Sequence, residues 1–206
     1  MRLGKAIAER LRAEGWRVIT SSHRADAGAD IVADLAEPMG PAKLYAAALQ
    51  ILGGIPPDAL VNNAALFTGD AAAIAVVNLE APKKLTMLMA GRETGVGSIV
   101  NILDTKALDA YRRLPTPTDA YLVSKRELFA YTRASAATFA ATLRVNGVAP
   151  GPVLAPTDVH VKAGETLLDR RPTADDVAAA VSYLLGAESV TGAVIPVDAG
   201  QHLVEV

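Results

Sequence analysis

Along the whole of this 206-residue chain, short and largely apolar runs alternate with helix-patterned segments, and that alternation admits few folds. Ala59 to Asn62, Ser98 to Leu103 and Leu143 to Val148 are apolar on successive residues rather than on every second one. Strands buried on both faces of a parallel sheet have that pattern. Shorter β-rich stretches lie at Trp16 to Ser22 and Asp30 to Ala33, and another strand is expected at Ala193 to Val197. Between them, Leu3, Ile7 and Leu11 recur at helical spacing over residues 3–14, with charged residues elsewhere on the turn. Further helices are expected from Pro41 to Leu52, from Ala71 to Ala90 with an interruption at Pro82, from an Asp119 cap to about Thr142, and from Thr173 onward with Asp175 and Asp176 in the first turn. Gly53-Gly54-Ile55-Pro56-Pro57 and Pro150-Gly151-Pro152 are breaks, and a Pro- and Arg-rich loop spans Leu108 to Thr118.

Composition narrows the functional classes. Hydrophobic residues make up 51% of the chain but aromatics only 4%, so alanine supplies much of the core and suits close helix–sheet packing. A net charge of -2 with scattered basic residues gives no nucleic-acid surface. There is no cysteine, hence no disulfide or thiolate chemistry. His23, His160 and His202 stand far apart, without metal-ligand spacing, so no metal is expected. No apolar run reaches the roughly 18 residues of a membrane span, and Met1 to Lys5 lacks the start of a signal peptide. A cytoplasmic location is the expectation.

In parallel sheets ligands bind beyond the carboxyl ends of the strands. Polar residues bunch at those ends: Ser22-His23-Arg24, Asp34, Asn62-Asn63, Asp104 and Pro150-Gly151. Tyr121 and Lys125, four apart on a helix, share one face. An ammonium beside a phenol stabilises phenolate, so the pair reads as a general acid with its pKa drawn down. Alone, the pair is better read as a surface Tyr and a surface Lys on one helix.

In sequence order, Asn62-Asn63-Ala64-Ala65, Val77-Asn78-Leu79, Ser98-Ile99-Val100-Asn101-Ile102, Tyr121 with Lys125, Arg144 through Pro152, and Thr191-Gly192 followed by Val197-Asp198-Ala199-Gly200 resemble the signatures of the short-chain dehydrogenase/reductase family. The resemblance covers nearly the whole chain. It implies a single domain over residues 1–206, a three-layer, Rossmann-like, doubly wound parallel α/β sheet, and an NADP(H)-dependent oxidoreductase. It further implies that Tyr121 passes the proton to or from substrate, that Lys125 lowers the tyrosine pKa and binds the nicotinamide ribose, and that Asn78 holds a water of the proton relay. Asn62, Asn63 and Ala64 would line the adenosine, Asp34 its adenine end, and Pro150, Gly151 and Val153 the nicotinamide. The segment after Pro152 would act as a lid. Homo-oligomers, dimer or tetramer, would form through the helices around Asn78 and Tyr121 and the C-terminal segment, with the Ala-rich face Ala134 to Ala141 equally suited to packing on its own sheet.

Asp104 departs from the family, which usually has serine at that strand end. A protonated aspartate could donate to a substrate oxygen; a carboxylate would favour a cationic or amidine-like substrate. The pteridine-reductase branch is similar here, and Arg2-Leu3-Gly4 and His23-Arg24 resemble that branch too. The reaction implied is reduction of a carbonyl or a pteridine-like C=N bond. Alternatively, Asp104 is a loop cap. Arg24, with Ser22 and His23, would take the 2′-phosphate of NADP, where an acidic residue would take the ribose of NAD.

The family opens with a central strand and a Thr-Gly-x-x-x-Gly-x-Gly loop ahead of its first helix, and this sequence enters at Arg2-Leu3-Gly4, the tail of that loop. The expectation is an N-terminally truncated, compact member with a gap in its strand ladder and weakened pyrophosphate binding. The alternatives are a non-catalytic nucleotide-binding or scaffold protein on the same fold, or a subunit stabilised only by its oligomer.

Overall fold

The computed structural model describes residues 3–93, 95–108, 119–153, 166–168 and 170–204. Helix α1, Leu3–Ala13, buries Ile7, Ala8 and Leu11 on one face. Gly15, at φ 91°, turns the chain out of it through a backbone shape suited to glycine. There follow β1 (Ser21–Ser22), β2 (Ile31–Val32), α2 (Gly40–Ile51), β3 (Ala59–Asn62), α3 (Ala71–Ala75), a π-helical turn (Val76–Glu80) and α4 (Ala81–Ala90). The second half contains β4 (Gly97–Ile102), α5 (Ala120–Thr138), β5 (Leu143–Pro150), α6 (Ala174–Gly186) and β6 (Val194–Val197).

Strands β3, β4, β5 and β6 form one parallel sheet in that order. Successive side chains of a strand face opposite sides, and here both sides are covered. Val100, Ile102 and Val148 meet Ile7 and Leu11 of α1 and Val177, Val181 and Leu184 of α6. Ile99, Leu143 and Val145 meet Met89 of α4 and Ala136 of α5. The continuous apolar runs of the sequence are thus explained by helices on both faces, the expected α/β architecture. Leu79, Leu103, Leu128 and Ala149 form a third cluster beneath the carboxyl end of the sheet. Each fully buried aliphatic side chain contributes about 1.5–3 kcal/mol.

The helix ends follow their sequence signals. Asp119 caps α5 by accepting the Leu122 N–H, and Thr173 with Asp176 forms a reciprocal capping box on α6. Arg144 donates to the carbonyls of Leu184, Leu185 and Ala187, placing a cation on the negative end of α6.

The first third departs from expectation in the length of its first strand. Of Trp16 to Ser22, only Ser21 and Ser22 enter a ladder, paired in parallel with Ile31 and Val32. Ahead of that ladder the Asp30 carboxylate substitutes for a strand, accepting both the backbone N–H and the hydroxyl of Thr20 at 2.7 Å. Just eight residues join β1 to β2, with a 3-10 turn at Ala25–Ala27 in place of a crossover helix. Among the described residues no ladder joins β1–β2 to the four-stranded sheet. Ala59, Leu60 and Val61 of β3 are accordingly half-buried, whereas β4, paired on both edges, is buried throughout. β5 runs two residues past its expected end, because Pro150 at the last position gives up only an N–H while pairing with Val197. Most of the Leu108 to Thr118 loop, and residues 154–165 of the segment after Pro152 expected to act as a lid, lie outside the described residues.

Leu143 is fully buried between β4 and α4. Leu143→Ala is expected to cost about 2–5 kcal/mol, read as a lowered urea midpoint. Leu203→Ala, at a position 63% exposed, should leave that midpoint nearly unchanged.

Candidate active site

The Asp119 cap fixes where α5 starts, and the helical period then puts Tyr121 and Lys125 on one face. The Tyr121 hydroxyl donates to Asp104 Oδ2 at 3.1 Å. Its ring stacks on Phe67, with centroids 4.5 Å apart and planes 24° apart. Lys125, 2% exposed, donates from Nζ to the Ile102 carbonyl at 2.8 Å, at the end of β4. That Nζ lies 5.9 Å from the centre of the Tyr121 ring.

This geometry corrects one expectation. Tyr121 is pushed above the ordinary tyrosine range, first by burial, then by the charge and hydrogen bond of Asp104 and the charge of Asp119. Lys125 flanks the ring and spends a proton on a backbone carbonyl, while a carboxylate occupies the hydroxyl. The phenol is therefore held protonated. Lys125 itself is drawn down from 10.5 to about 8 by burial, partly opposed by Asp104.

Asp104 combines its two sequence readings. Oδ1 accepts the Lys106 N–H at 2.9 Å and caps the 3-10 turn Thr105–Ala107, while Oδ2 accepts from Tyr121. With both oxygens accepting, the group acts as a carboxylate rather than as a protonated donor.

Asn78 is fully buried in the π-helical turn, which excludes a solvent-facing role. Its side chain clamps the segment after β3: Oδ1 accepts the Leu66 N–H at 2.8 Å, and Nδ2 donates to the Leu66 carbonyl at 2.9 Å and to Ser124 Oγ at 3.0 Å. Both amide donors are thus engaged, so a water could be met only by an acceptor, the second lone pair of Oδ1 or the main-chain carbonyl. Pro82 stands four residues on, where an α-helix would supply an N–H to that carbonyl; proline has none. Hence the interruption expected at Pro82 is a widened turn upstream of it, with Pro82 itself in the first turn of α4.

The other candidates fall into two groups. Asn62, Asn63, Asp104, Pro150 and Gly151 follow or end the adjacent strands β3, β4 and β5 and share one edge of the sheet. Asn62 turns its amide inward, donating to Asn101 Oδ1 at 2.8 Å, and Asn101 donates on to Thr132; this buried chain is not aimed at a ligand. Ala64 is exposed, and Gly4 sits so near Asn63 that a Cβ there would lie 2.8 Å from the Asn63 amide nitrogen. The head of α1, with Leu3, therefore abuts the end of β3. A Cβ at Gly151 would lie 2.6 Å from Asp198 Cβ, so the backbone passes tightly there, and Val153 packs on the α1–α6 core.

Ser22, His23, Arg24 and Asp34 follow the separate β1–β2 ladder. Ser22 Oγ accepts the Arg24 N–H at 3.0 Å. His23 and Arg24 are exposed, and Arg24 forks onto Asp26 through Nε at 2.9 Å and Nη2 at 2.6 Å. Asp34 accepts the Ala36 N–H at 2.8 Å, as a turn residue at a strand end does. Arg2 lies outside the described residues.

Sequence reasoning missed Phe67, an exposed ring against Tyr121, and Ser124, which accepts from Asn78 and donates to the Tyr121 carbonyl. A bulky aromatic five residues past Asn62 in a chain so poor in aromatics was the available signal for the first. Among the described residues, no helix is long and apolar enough to cross a membrane.

The family model described as enoyl-(acyl carrier protein) reductase matches residues 2–202. The chain belongs to the short-chain dehydrogenase/reductase family, whose members are NAD(P)-dependent oxidoreductases acting on small molecules. It is 31% identical to FolM alternative dihydrofolate reductase 1 from Brucella canis, solved in complex with NADP; the TM-score is 0.84, over 98% of this chain and 91% of that one. A blue fluorescent protein from a metagenomic library, in complex with NADPH, is 27% identical with a TM-score of 0.84, covering 98% and 94%. Glucose 1-dehydrogenase 2 of Bacillus subtilis is 28% identical over 98% of this chain and 91% of its own length.

The amine of Lys125 is easier to deprotonate folded than unfolded, so between about 8 and 10.5 the folded chain holds fewer protons and this group adds stability as pH rises. Unfolding free energy should therefore climb through that window in the wild type relative to Lys125→Met. Parallel pH dependences in urea titrations would refute the assignment.

Proposed function

We propose that this protein is an NADPH-dependent reductase of a pteridine-like C=N bond, or of a carbonyl, in which Tyr121 delivers the proton and Asp104 selects the substrate. The observation that carries the reading is the 3.1 Å contact between the Tyr121 hydroxyl and the Asp104 carboxylate. A carboxylate at that point suits the paired N–H donors of an amidine-like ring better than a simple ketone. The exposed face of Phe67 beside it offers a stacking surface to a flat heterocycle. The similarity to a FolM enzyme supports the same substrate class. The relatives named above give no support to a non-catalytic scaffold.

The residues present fit a dinucleotide. Lys125 has three donors, of which Ile102 takes one, leaving it suited to ribose hydroxyls. The tight backbone at Gly151, with Pro150 and Val153, would pass beside the nicotinamide. The head of α1 at Leu3, with Arg2, would face the pyrophosphate, and the backbone that follows Asn62, at Asn63 and Ala64, with Asp34, the adenosine. Arg24, with Ser22 and His23, would exchange its exposed Asp26 partner for a 2′-phosphate, since an exposed ion pair of this kind holds only weakly. Bound NADPH supplies the hydride that reduces the carbon. Tyr121, held protonated, gives its proton to the substrate nitrogen or oxygen. Lys125 would hold the nicotinamide ribose, and the proton would return to the phenolate through a water held at the Asn78 carbonyl. Exposed Met87 and Leu88 on α4 are consistent with a homo-oligomer built on these helices.

Tyr121→Phe should cut NADPH-dependent reduction of dihydrofolate by roughly 10²–10⁴-fold with cofactor binding intact, since general acids contribute on that scale. Unchanged turnover would end the proposal. Asp104→Ser should shift preference from dihydrofolate toward a simple ketone. In fluorescence titrations Arg24→Ala should weaken NADPH about tenfold or more and leave NADH unaffected, as expected for lost charge-assisted hydrogen bonds; tighter wild-type binding of NADH than of NADPH would refute the phosphate assignment.

A further inference from the structure

Asp198 is a buried carboxylate that the reaction above does not use. It is 2% exposed and stands directly after β6. It accepts from Thr105 Oγ1 at 2.5 Å, from the Gly200 N–H at 3.0 Å, from the His202 N–H at 2.8 Å, and pairs with His202 Nδ1 at 2.8 Å. Burial pushes its pKa up, but the donors from Thr105 and His202 outweigh that and hold it below the usual range. Its own neighbour Ala199 adopts φ 54°, a left-handed shape that a non-glycine residue keeps only when its surroundings demand it.

The partners of Asp198 lie on different walls of the site. Thr105 follows Asp104 and opens the 3-10 turn that Asp104 caps. Gly151, pressed against Asp198 so closely that a Cβ would overlap it, leads the chain out of β5. Gly200 and His202 belong to the C-terminal 3-10 turn, Gln201–Leu203. A short bond from a buried carboxylate therefore fixes the residue next to the one that holds the Tyr121 hydroxyl.

We propose that Asp198 and Thr105 are positioning residues for Asp104: the Thr105–Asp198 hydrogen bond fixes the turn that aims the Asp104 carboxylate at Tyr121. Neither touches the reacting atoms. Both act through the backbone of residues 104–105, and the C-terminal turn braces the carboxylate from behind through His202. This inference rests on the assignment of Tyr121 and Asp104 to the reaction.

The test compares Thr105→Val, which keeps the shape and loses the hydroxyl, with Thr105→Ser, which keeps the hydroxyl. Thr105→Val should lower kcat about tenfold with KM nearly unchanged, the signature of an interaction that matters in the transition state, and Thr105→Ser should restore the rate. In a crystal structure of Thr105→Val, Asp104 Oδ2 should lie beyond about 3.5 Å from the Tyr121 hydroxyl, outside hydrogen-bond range. Thr105→Ala carries the same readouts if Thr105→Val does not fold. A Thr105→Val enzyme with wild-type kcat and an intact Asp104–Tyr121 contact overturns the inference and leaves the proposed reaction standing. If Tyr121→Phe retains full activity, the reaction fails while the crystallographic comparison still decides the positioning role.

Discussion

An ammonium with 2% exposure must be held, because removing a charge from water costs several kcal/mol unless hydrogen bonds replace the lost solvent. Lys125 meets that requirement by donating to the last carbonyl of β4, at Ile102. The bond ties α5 to the carboxyl end of the sheet and fixes its rotation. Once that rotation is set, Tyr121 one turn earlier points past the sheet edge, toward the turn opened by Asp104. The apolar clusters on either face decide that α5 packs on the sheet; the buried amine decides which residues of α5 look into the site.

The same contact explains why the pair behaves differently from its simplest reading. An ammonium lowers a phenol's pKa when it faces the hydroxyl. Here it faces a backbone carbonyl, and the hydroxyl faces a carboxylate. The acid is thus stored in its protonated form. Asp104 can hold that proton in place because its other oxygen is anchored by the Lys106 N–H and cannot swing away without uncapping a turn.

Much of this was legible in the chain. The doubly apolar strands announced helices on both faces. Asp119 and Thr173 announced helix starts, and the four-residue spacing of Tyr121 and Lys125 announced a shared face. The direction of the tyrosine's pKa was not legible, since it depends on which atom the amine faces. The β1 ladder was over-read because a β-rich run such as Trp16 to Ser22 carries no information about whether a neighbour exists to pair with it. The inward turn of Asn62 was hidden for a similar reason: its partner, Asn101, lies 39 residues away on the next strand.

Pro82 shows how a local signal can be read correctly and placed wrongly. A proline inside a helical pattern removes one donor, and the acceptor it deprives lies four residues earlier. That acceptor is the carbonyl of Asn78, whose side chain is already committed to Leu66 and Ser124. The helix widens upstream of the proline instead of ending at it, and the π-helical turn falls on Val76–Glu80. Such turns open the backbone ladder at a cost in regularity and recur at functional sites. In this chain the turn carries Asn78, fully buried beneath Ser124, which lies within one helical turn of Tyr121 on the neighbouring helix. The defect and the candidate proton donor are therefore joined by one hydrogen-bonded chain, from Asn78 through Ser124 to the Tyr121 backbone.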